Sequence, residues 1–193
     1  MNPETELAMR QVFKQFNRFM LLLWRLGLGP WLNLWPQVGG QIMVIVHTGR
    51  KTGLRRFTPV NFAELDDELY CCAGFGSAAD WYQNILANPQ VEIWHPQGWW
   101  QALASDISSS ADRTALIRAV MVGSGFAAPL FGLDPYKLDD RQLEQKTSSY
   151  PLVHIQRQAA RTGPGGPGDL AWFWPASTFV LLAWILFKPR RRK

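Results

Sequence analysis

Residues 41–62 read QIMVIVHTGRKTGLRRFTPVNF, and this stretch decides the fold class. Gln41–Thr48 is short, apolar and β-branched, and Gly49 ends it, which is the pattern of a buried strand. Phe57–Leu65 alternates loosely between apolar and polar residues, and after a turn the chain returns over 68–73. The sequence therefore predicts antiparallel strands that are joined by short hairpins.

The rest of the central region continues this pattern. The further predicted segments are a helix over 77–87, strands over 91–95 and 99–107 on either side of Pro96-Gln97-Gly98, a helix over 108–122, a loosely structured stretch over 123–149 and a closing strand over 150–156. Five or six strands with a few helices indicate a mainly β or α+β domain that is built on an antiparallel barrel.

Both ends of the chain carry apolar segments. Residues 5–26 are predicted to form an amphipathic helix, which either packs on the domain or lies on a membrane surface. Residues 163–168, GPGGPG, are typical of a flexible linker. Residues 170–187 carry no charge and would reach about 27 Å as a helix, just short of a bilayer core of roughly 30 Å. We expect a C-terminal transmembrane or membrane-anchoring helix there.

These segments give the expected organisation. It is an N-terminal helix and connection (1–36), a barrel domain (37–158), a linker (159–169), a membrane helix (170–187) and a basic tail (188–193). The tail accounts for the whole net charge of +5, so we expect no nucleic-acid partner. The positive-inside rule would keep the tail in the cytoplasm, whereas the absence of a secretory signal favours a cytoplasmic barrel. We expect a protein of the cell membrane with its barrel in the cytoplasm, and we leave the oligomeric state open.

Disulfides and metal sites are not indicated. Cys71 and Cys72 are adjacent, and neighbours on a strand point to opposite faces, so they cannot easily bridge to each other. The three histidines, His47, His95 and His154, lie far apart and show no metal-ligand spacing.

The densest chemical signal is the basic loop, which we define as residues 49–56 (GRKTGLRR). Four positive side chains fall within seven residues directly after a strand, in a segment that contains two glycines. Backbone N–H groups, arginine forks and lysine suit an anion such as phosphate. The loop is not a Walker A motif, because Arg50 stands where glycine should precede the lysine. A charged hairpin turn without a ligand is the alternative.

A second signal lies over residues 73–84, AGFGSAADWYQN. A strand ends in a glycine-flanked turn and enters a helix, whose first N–H groups are free to meet a ligand. Trp81 and Asn84 lie on one face of that helix, where an indole could wall a flat ring and an amide could fix a polar edge. Packing in the core is the alternative for Trp81.

Together the two segments resemble the deazaflavin (F420)-dependent nitroreductase family. The resemblance lies in G-R-K-T-G-x-x-R-x-x-P (49–59) and D-W-Y-x-N-x-x-A-N-P-x-V (80–91), and it covers about residues 10–157. It implies a split β-barrel fold and an oxidoreductase that uses coenzyme F420, whose phosphodiester and glutamate tail are polyanionic. Implied as cofactor-binding are Gly49, Arg50, Lys51, Thr52, Gly53, Arg56, Pro59, Ala73, Gly74, Trp81 and Asn84.

The chemistry that the resemblance implies is hydride transfer from reduced F420 to a quinone, a nitro compound or an activated alkene. Relatives carry Lys-Gly-Gly where this chain has Phe75-Gly76, and a tyrosine-rich segment where residues 124–149 offer only Tyr136. Tyr136 is therefore the candidate proton donor, with His47 or solvent as alternatives. A membrane anchor would favour a lipid-soluble acceptor such as a quinone.

Two other functions stay open at this point. The same barrel could bind FMN, haem or another tetrapyrrole instead of F420. A non-catalytic membrane adaptor could instead use the basic loop to bind anionic lipid headgroups.

Overall fold

Six antiparallel strands form a closed barrel in the computed structural model, which describes residues 3–188. The strands are β1 (Ile42–Thr48), β2 (Arg55–Leu65), β3 (Glu68–Cys72), β4 (Gln90–His95), β5 (Gly98–Asp106) and β6 (Leu152–Ala160). Their order around the barrel is β1-β2-β3-β6-β5-β4, and β1 closes it by pairing with both β2 and β4. Flanking helices complete an architecture that fits the expected split-barrel α+β fold.

Strand β1 is buried on both faces, which explains its continuous apolar run. Met43 and Ile45 point into the barrel core. Val44 and Val46 point to the outside, where they are covered by the indoles of Trp24, Trp94 and Trp99. A strand that is covered on both faces needs no polar alternation.

The helices lie around the barrel. They are α1 (Pro3–Arg25), α2 (Gly29–Leu32), α3 (Pro36–Gly39), α4 (Asp80–Ala87), α5 (Arg113–Gly123), α6 (Ala127–Leu130), α7 (Asp140–Thr147) and α8 (Phe173–Phe187). Helix α1 buries Met20 and Trp24 and leaves Phe16, Phe19 and Leu22 exposed. Helix α4 packs Tyr82 and Ile85 into the barrel core. A second core forms where α5 and α7 pack beside β2 and β3.

The stretch 123–149 is more ordered than the sequence predicts, because it contains α6 and α7. Helix α7 begins with a capping box. The side chain of Asp139 accepts from the backbone N–H of Gln142, and the side chain of Gln142 accepts from the backbone N–H of Asp139. These two bonds satisfy donors that would otherwise face solvent at the helix start.

The glycine-rich segment 163–168 lies against the barrel instead of forming a flexible linker. Gly166 is buried on Trp99, and a Cβ at this glycine would lie 2.5 Å from the indole ring. The N–H of Gly168 donates to the carbonyl of Trp24, and Arg25 forms a forked ion pair with Asp169. Glycine is needed here because the backbone approaches an aromatic face.

Helix α8 extends from this packed segment with its side chains exposed. It has 15 residues, none of them buried, which corresponds to about 22 Å of helix. Among the residues that the structure describes, no helix is both long and apolar enough to cross a membrane, so the expected transmembrane span is not supported. The expected basic tail beyond Lys188 lies outside the described residues.

His95, at the end of β4, is a histidine in the barrel core. Its ring lies 5.0 Å from the ring of Phe62 and 5.8 Å from that of Trp100, as ring centroids. Its Nε2 is 3.5 Å from the carboxylate of Glu64, and Arg157 holds the other oxygen of that carboxylate at 2.8 Å. Burial lowers the pKa of His95 from 6.5 to about 4, although the Glu64 carboxylate acts in the opposite direction.

This burial makes the fold sensitive to acid. Between pH 6.5 and about 4 an unfolded His95 binds a proton that the folded one does not, so the free energy of unfolding falls as the pH falls through this window. Across that window we expect the free energy of unfolding of His95→Leu to fall by roughly 1–3 kcal/mol less than that of the wild type. Chemical denaturation at a series of pH values measures this.

Ile93→Val, in the same strand, is the control, because it removes a buried methylene and no proton-binding group. It should lower stability by a similar amount at every pH. A His95→Leu curve that runs parallel to the wild-type curve would contradict the prediction.

Candidate functional site

A cavity of about 1000 Å³ runs along β2, between the basic loop, α1 and the start of α4. Its charged part is formed by the basic loop with Lys14 and Arg18 of α1. Its apolar part is lined by Phe13, Phe16, Met20, Pro59, Trp81 and Phe131. The cavity therefore joins a cationic mouth to an apolar, aromatic wall.

The basic loop is held in one shape by its own backbone. The N–H of Gly49 donates to the carbonyl of Leu54 at 2.9 Å, and the N–H of Gly53 donates to the carbonyl of Gly49 at 2.8 Å. Gly53 has a φ of +66°, in the left-handed region that favours glycine. The loop therefore has a defined backbone conformation, and its Arg50, Lys51 and Arg56 line the cavity.

Asn84 joins the loop to α4 and to β1. Its Oδ1 accepts from the backbone N–H of Arg50 at 3.0 Å and from the Arg50 guanidinium at 2.9 Å. Its Nδ2 lies 3.2 Å from Nδ1 of His47. Asn84 is 6% exposed, so these bonds form away from water, where an unpaired polar group is costly. The amide that the resemblance assigns to the cofactor therefore also bonds to the protein, through both its oxygen and its nitrogen.

The basic side chains of the loop fall into two groups. Arg50 also pairs with Asp80 at 3.0 Å, and Arg55 pairs with Glu92 at 2.8 Å. Lys51 and Arg56 have no carboxylate partner among the described side chains, and both line the cavity. These two cations are therefore available to an anionic ligand.

His47 is neutral at pH 7. Burial, assisted by the positive charge of Arg56, lowers the pKa of His47 from 6.5 to about 4. Its Nδ1 faces the amide N–H2 of Asn84, which leaves no room for a proton there. His47 is thus unsuited to donate a proton to a substrate at neutral pH.

The structure does not bring Tyr136 to the cavity. Its side chain is 82% exposed and does not line the cavity. Tyr150 lines the cavity instead, and burial raises its pKa above the usual value.

Most of the residues implied as cofactor-binding lie together. Those that line the cavity are Gly49, Arg50, Lys51, Thr52, Arg56, Pro59, Gly74, Trp81 and Asn84. Gly53 belongs to the loop but not to the lining, and Ala73 is buried in the barrel core.

Sequence reasoning missed the part of the wall that α1 provides. The ring of Phe13 lies 5.5 Å from that of Phe75 and 5.4 Å from that of Phe131, as centroids. The spacing of apolar residues on α1 indicates a face that packs, but it does not say against which element that face lies. Only the tertiary arrangement places Phe13 over the cavity.

The model of the F420H(2)-dependent quinone reductase family matches residues 30–125, about half of the chain. These residues include the basic loop, α4 and strands β1 to β5. Through them the chain belongs to that family. Membership in the F420H(2)-dependent quinone reductase family makes the protein an oxidoreductase. The comparison with curated proteins gave no match.

Solved structures of several kinds are similar to this chain. An F420-H2 dependent reductase (FDR-A) is 21% identical, with 61% of this chain and 94% of that chain covered and a TM-score of 0.43. A heme binding protein from Mycobacterium smegmatis is 13% identical, with 67% and 50% covered and a TM-score of 0.43. HutZ, the heme storage protein from Vibrio cholerae, is 15% identical, with 67% and 89% covered and a TM-score of 0.43.

Asn84 should be essential to the stability of this end of the barrel. We expect Asn84→Leu to lower the free energy of unfolding by about 2–4 kcal/mol, because it leaves the Arg50 N–H and the His47 Nδ1 without partners. Chemical denaturation measures the loss.

Gln83→Leu is the matched control on the same helix, because Gln83 makes one exposed hydrogen bond, to the carbonyl of Ser77. Gln83→Leu should lower the free energy of unfolding by less than about 1 kcal/mol. Equal losses in the two variants would show that Asn84 does not hold the loop.

Proposed function

We propose that this oxidoreductase transfers a hydride from reduced F420 to a quinone-type acceptor at a membrane surface. The observation that carries the proposal is the position of Lys51 and Arg56, which have no carboxylate partner in the described part of the chain, at the mouth of an apolar cavity. When bound, reduced F420 supplies the hydride from its deazaflavin ring.

The residues present fit such a cofactor. F420 joins a flat ring to a polyanionic arm, and the cavity joins an apolar wall to a cationic mouth. Lys51 and Arg56 would hold the arm with their charged side chains. Pro59 and Trp81 would border the ring. Arg50 and Asn84 would contribute indirectly, because their hydrogen bonds hold the loop in its conformation.

The acceptor would lie against the aromatic wall. Phe13, Phe16 and Met20 of α1 face the cavity from one side and Phe131 from another, so the wall suits a hydrophobic ring better than a charged substrate. Among the described lining residues Asp80 is the only acid, and it pairs with Arg50. The acceptor's proton would come from solvent or from Tyr150, the tyrosine that lines the cavity.

Helix α8 supports membrane attachment. Its apolar side chains are exposed all round, and Trp172, Trp174 and Trp184 lie near its ends, as is typical of segments that sit at a lipid interface. Trp31 and Trp35, which follow α1, are also exposed. Attachment to the cell membrane would place the cavity near a lipid-soluble quinone.

The charge of the loop should decide cofactor affinity. We expect Lys51→Ala and Arg56→Ala each to weaken F420 binding roughly 10-fold, about 1.4 kcal/mol, because each removes one cation from the polyanionic arm. Binding of the same deazaflavin ring without its arm should be unchanged. Fluorescence titration of the purified full chain measures both constants.

Lys137→Ala is the control, because Lys137 is exposed, pairs with Asp134 and does not line the cavity. Variants that lose affinity equally for the whole cofactor and for the bare ring would contradict the assigned role of the loop. Tight FMN or haem binding without affinity for F420 would reject the cofactor. Unchanged F420 affinity with release from anionic vesicles would favour the adaptor function.

Membrane attachment should depend on α8. We expect the full chain to float with phosphatidylcholine vesicles, and the double variant Leu182→Glu/Ile185→Glu to float at least about 10-fold less, because buried carboxylates are costly in lipid. Leu130→Glu, which charges another exposed leucine outside the cavity, should float like the wild type. Equal flotation of the double variant would reject this role of α8.

A further inference from the structure

A chain of hydrogen bonds runs from the basic loop to the cavity. Arg50 bonds to Oδ1 of Asn84, Nδ2 of Asn84 lies 3.2 Å from Nδ1 of His47, and Nε2 of His47 lies 3.0 Å from Oγ1 of Thr58. The four residues come from the loop, α4, β1 and β2. Each bond in such a chain fixes which partner donates in the next one.

The direction is set at Arg50. A backbone N–H and a guanidinium can only donate, and both point at the same atom of Asn84. That atom is therefore the amide oxygen, and the amide N–H2, which can only donate, faces His47. Nδ1 of His47 must consequently accept.

The tautomer of His47 follows from this. A neutral imidazole that accepts at Nδ1 carries its proton on Nε2. Nε2 therefore donates to Oγ1 of Thr58. Burial favours the neutral ring, because it lowers the pKa of His47 to about 4.

The hydroxyl proton of Thr58 is left for a ligand. Thr58 already accepts from His47, and no acceptor for its own proton occurs among the described residues. Thr58 lines the cavity, on the strand next to Pro59. A hydroxyl has one proton and two lone pairs, so a hydroxyl that accepts from a fixed donor on one lone pair still has its proton available for a ligand in the adjacent space.

We propose that this chain fixes the Thr58 hydroxyl as a hydrogen-bond donor to a carbonyl oxygen or ring nitrogen of the bound cofactor, with His47 and Asn84 as positioning residues. The proposal rests on the proposed function, since it assigns the ring as the ligand of Thr58. It adds a preference to the site: a ring acceptor at this position takes the hydroxyl proton of Thr58, whereas a ring N–H would leave that proton unbonded.

The tautomer is tested without any cofactor. Nitrogen-15 spectra of the histidine-labelled full chain at pH 7 should show His47 with a bare Nδ1 and a protonated Nε2, with the signal assigned by its absence in His47→Gln. An Nδ1–H tautomer or a cationic ring would overturn the proposal.

The contact is tested with two substitutions and the probes F420 and FMN. Thr58→Val keeps the shape of the side chain but removes the hydroxyl. It should bind about 10-fold more weakly whichever of the two rings the wild type binds. Thr58→Ser keeps the hydroxyl and should stay within about twofold of the wild type. The absorption band of the bound ring should move in Thr58→Val and not in Thr58→Ser, which a merely structural role would not produce.

The outcomes separate the two proposals. If the wild type binds F420 and Thr58→Val binds equally well, the contact is wrong while the function stands. If the wild type binds FMN and not F420, the proposed cofactor is wrong. The comparison of Thr58→Val with Thr58→Ser, made with FMN, then still tests the contact. If neither ring binds, both proposals fall.

Discussion

The side-chain amide of Asn84 is the interaction on which the rest of the site depends. It ties the loop after β1 to α4 and to the histidine inside the barrel, through bonds to Arg50 and His47. Because Arg50 is used in this way and also meets Asp80, the cationic loop is divided. Arg50 and Arg55 are paired within the protein, whereas Lys51 and Arg56 line the cavity and meet no carboxylate among the residues that the structure describes. An amide suits this position because it accepts on one side and donates on the other.

The barrel provides the rigid frame for this amide. Strand β1 pairs with two neighbours and is covered on both faces, so the end at which His47 lies is held from all sides. Helix α4 closes the same end by burying Tyr82 and Ile85. The long basic side chains of the loop are exposed at the mouth of the cavity, where a large ligand would enter.

The sequence predicted those features that depend on local patterns. Strand periods, hairpin turns and the glycine-containing basic loop are local, whereas the other candidate site residues, such as Pro59 and Gly74, come from the family resemblance; most of this set lines the cavity. The bond between Arg50 and Asn84 joins residues 34 positions apart, so no local pattern reports it. Helix α7 is polar, so no apolar period indicates it, and its capping box is a weak local signal. Tyr136 was selected by elimination, and its exposure could only be seen in three dimensions.

The packing of the glycine-rich segment 163–168 and Asp169 has a practical consequence for truncation of the chain. Gly166 shields the indole of Trp99, and Asp169 neutralises Arg25 at the end of α1. Truncation after β6 would expose the indole of Trp99 and would leave the guanidinium of Arg25 without its carboxylate partner. The truncated barrel would therefore aggregate more readily than the full chain. Insolubility of such a fragment would result from the newly exposed aromatic surface and not from a wrong domain boundary.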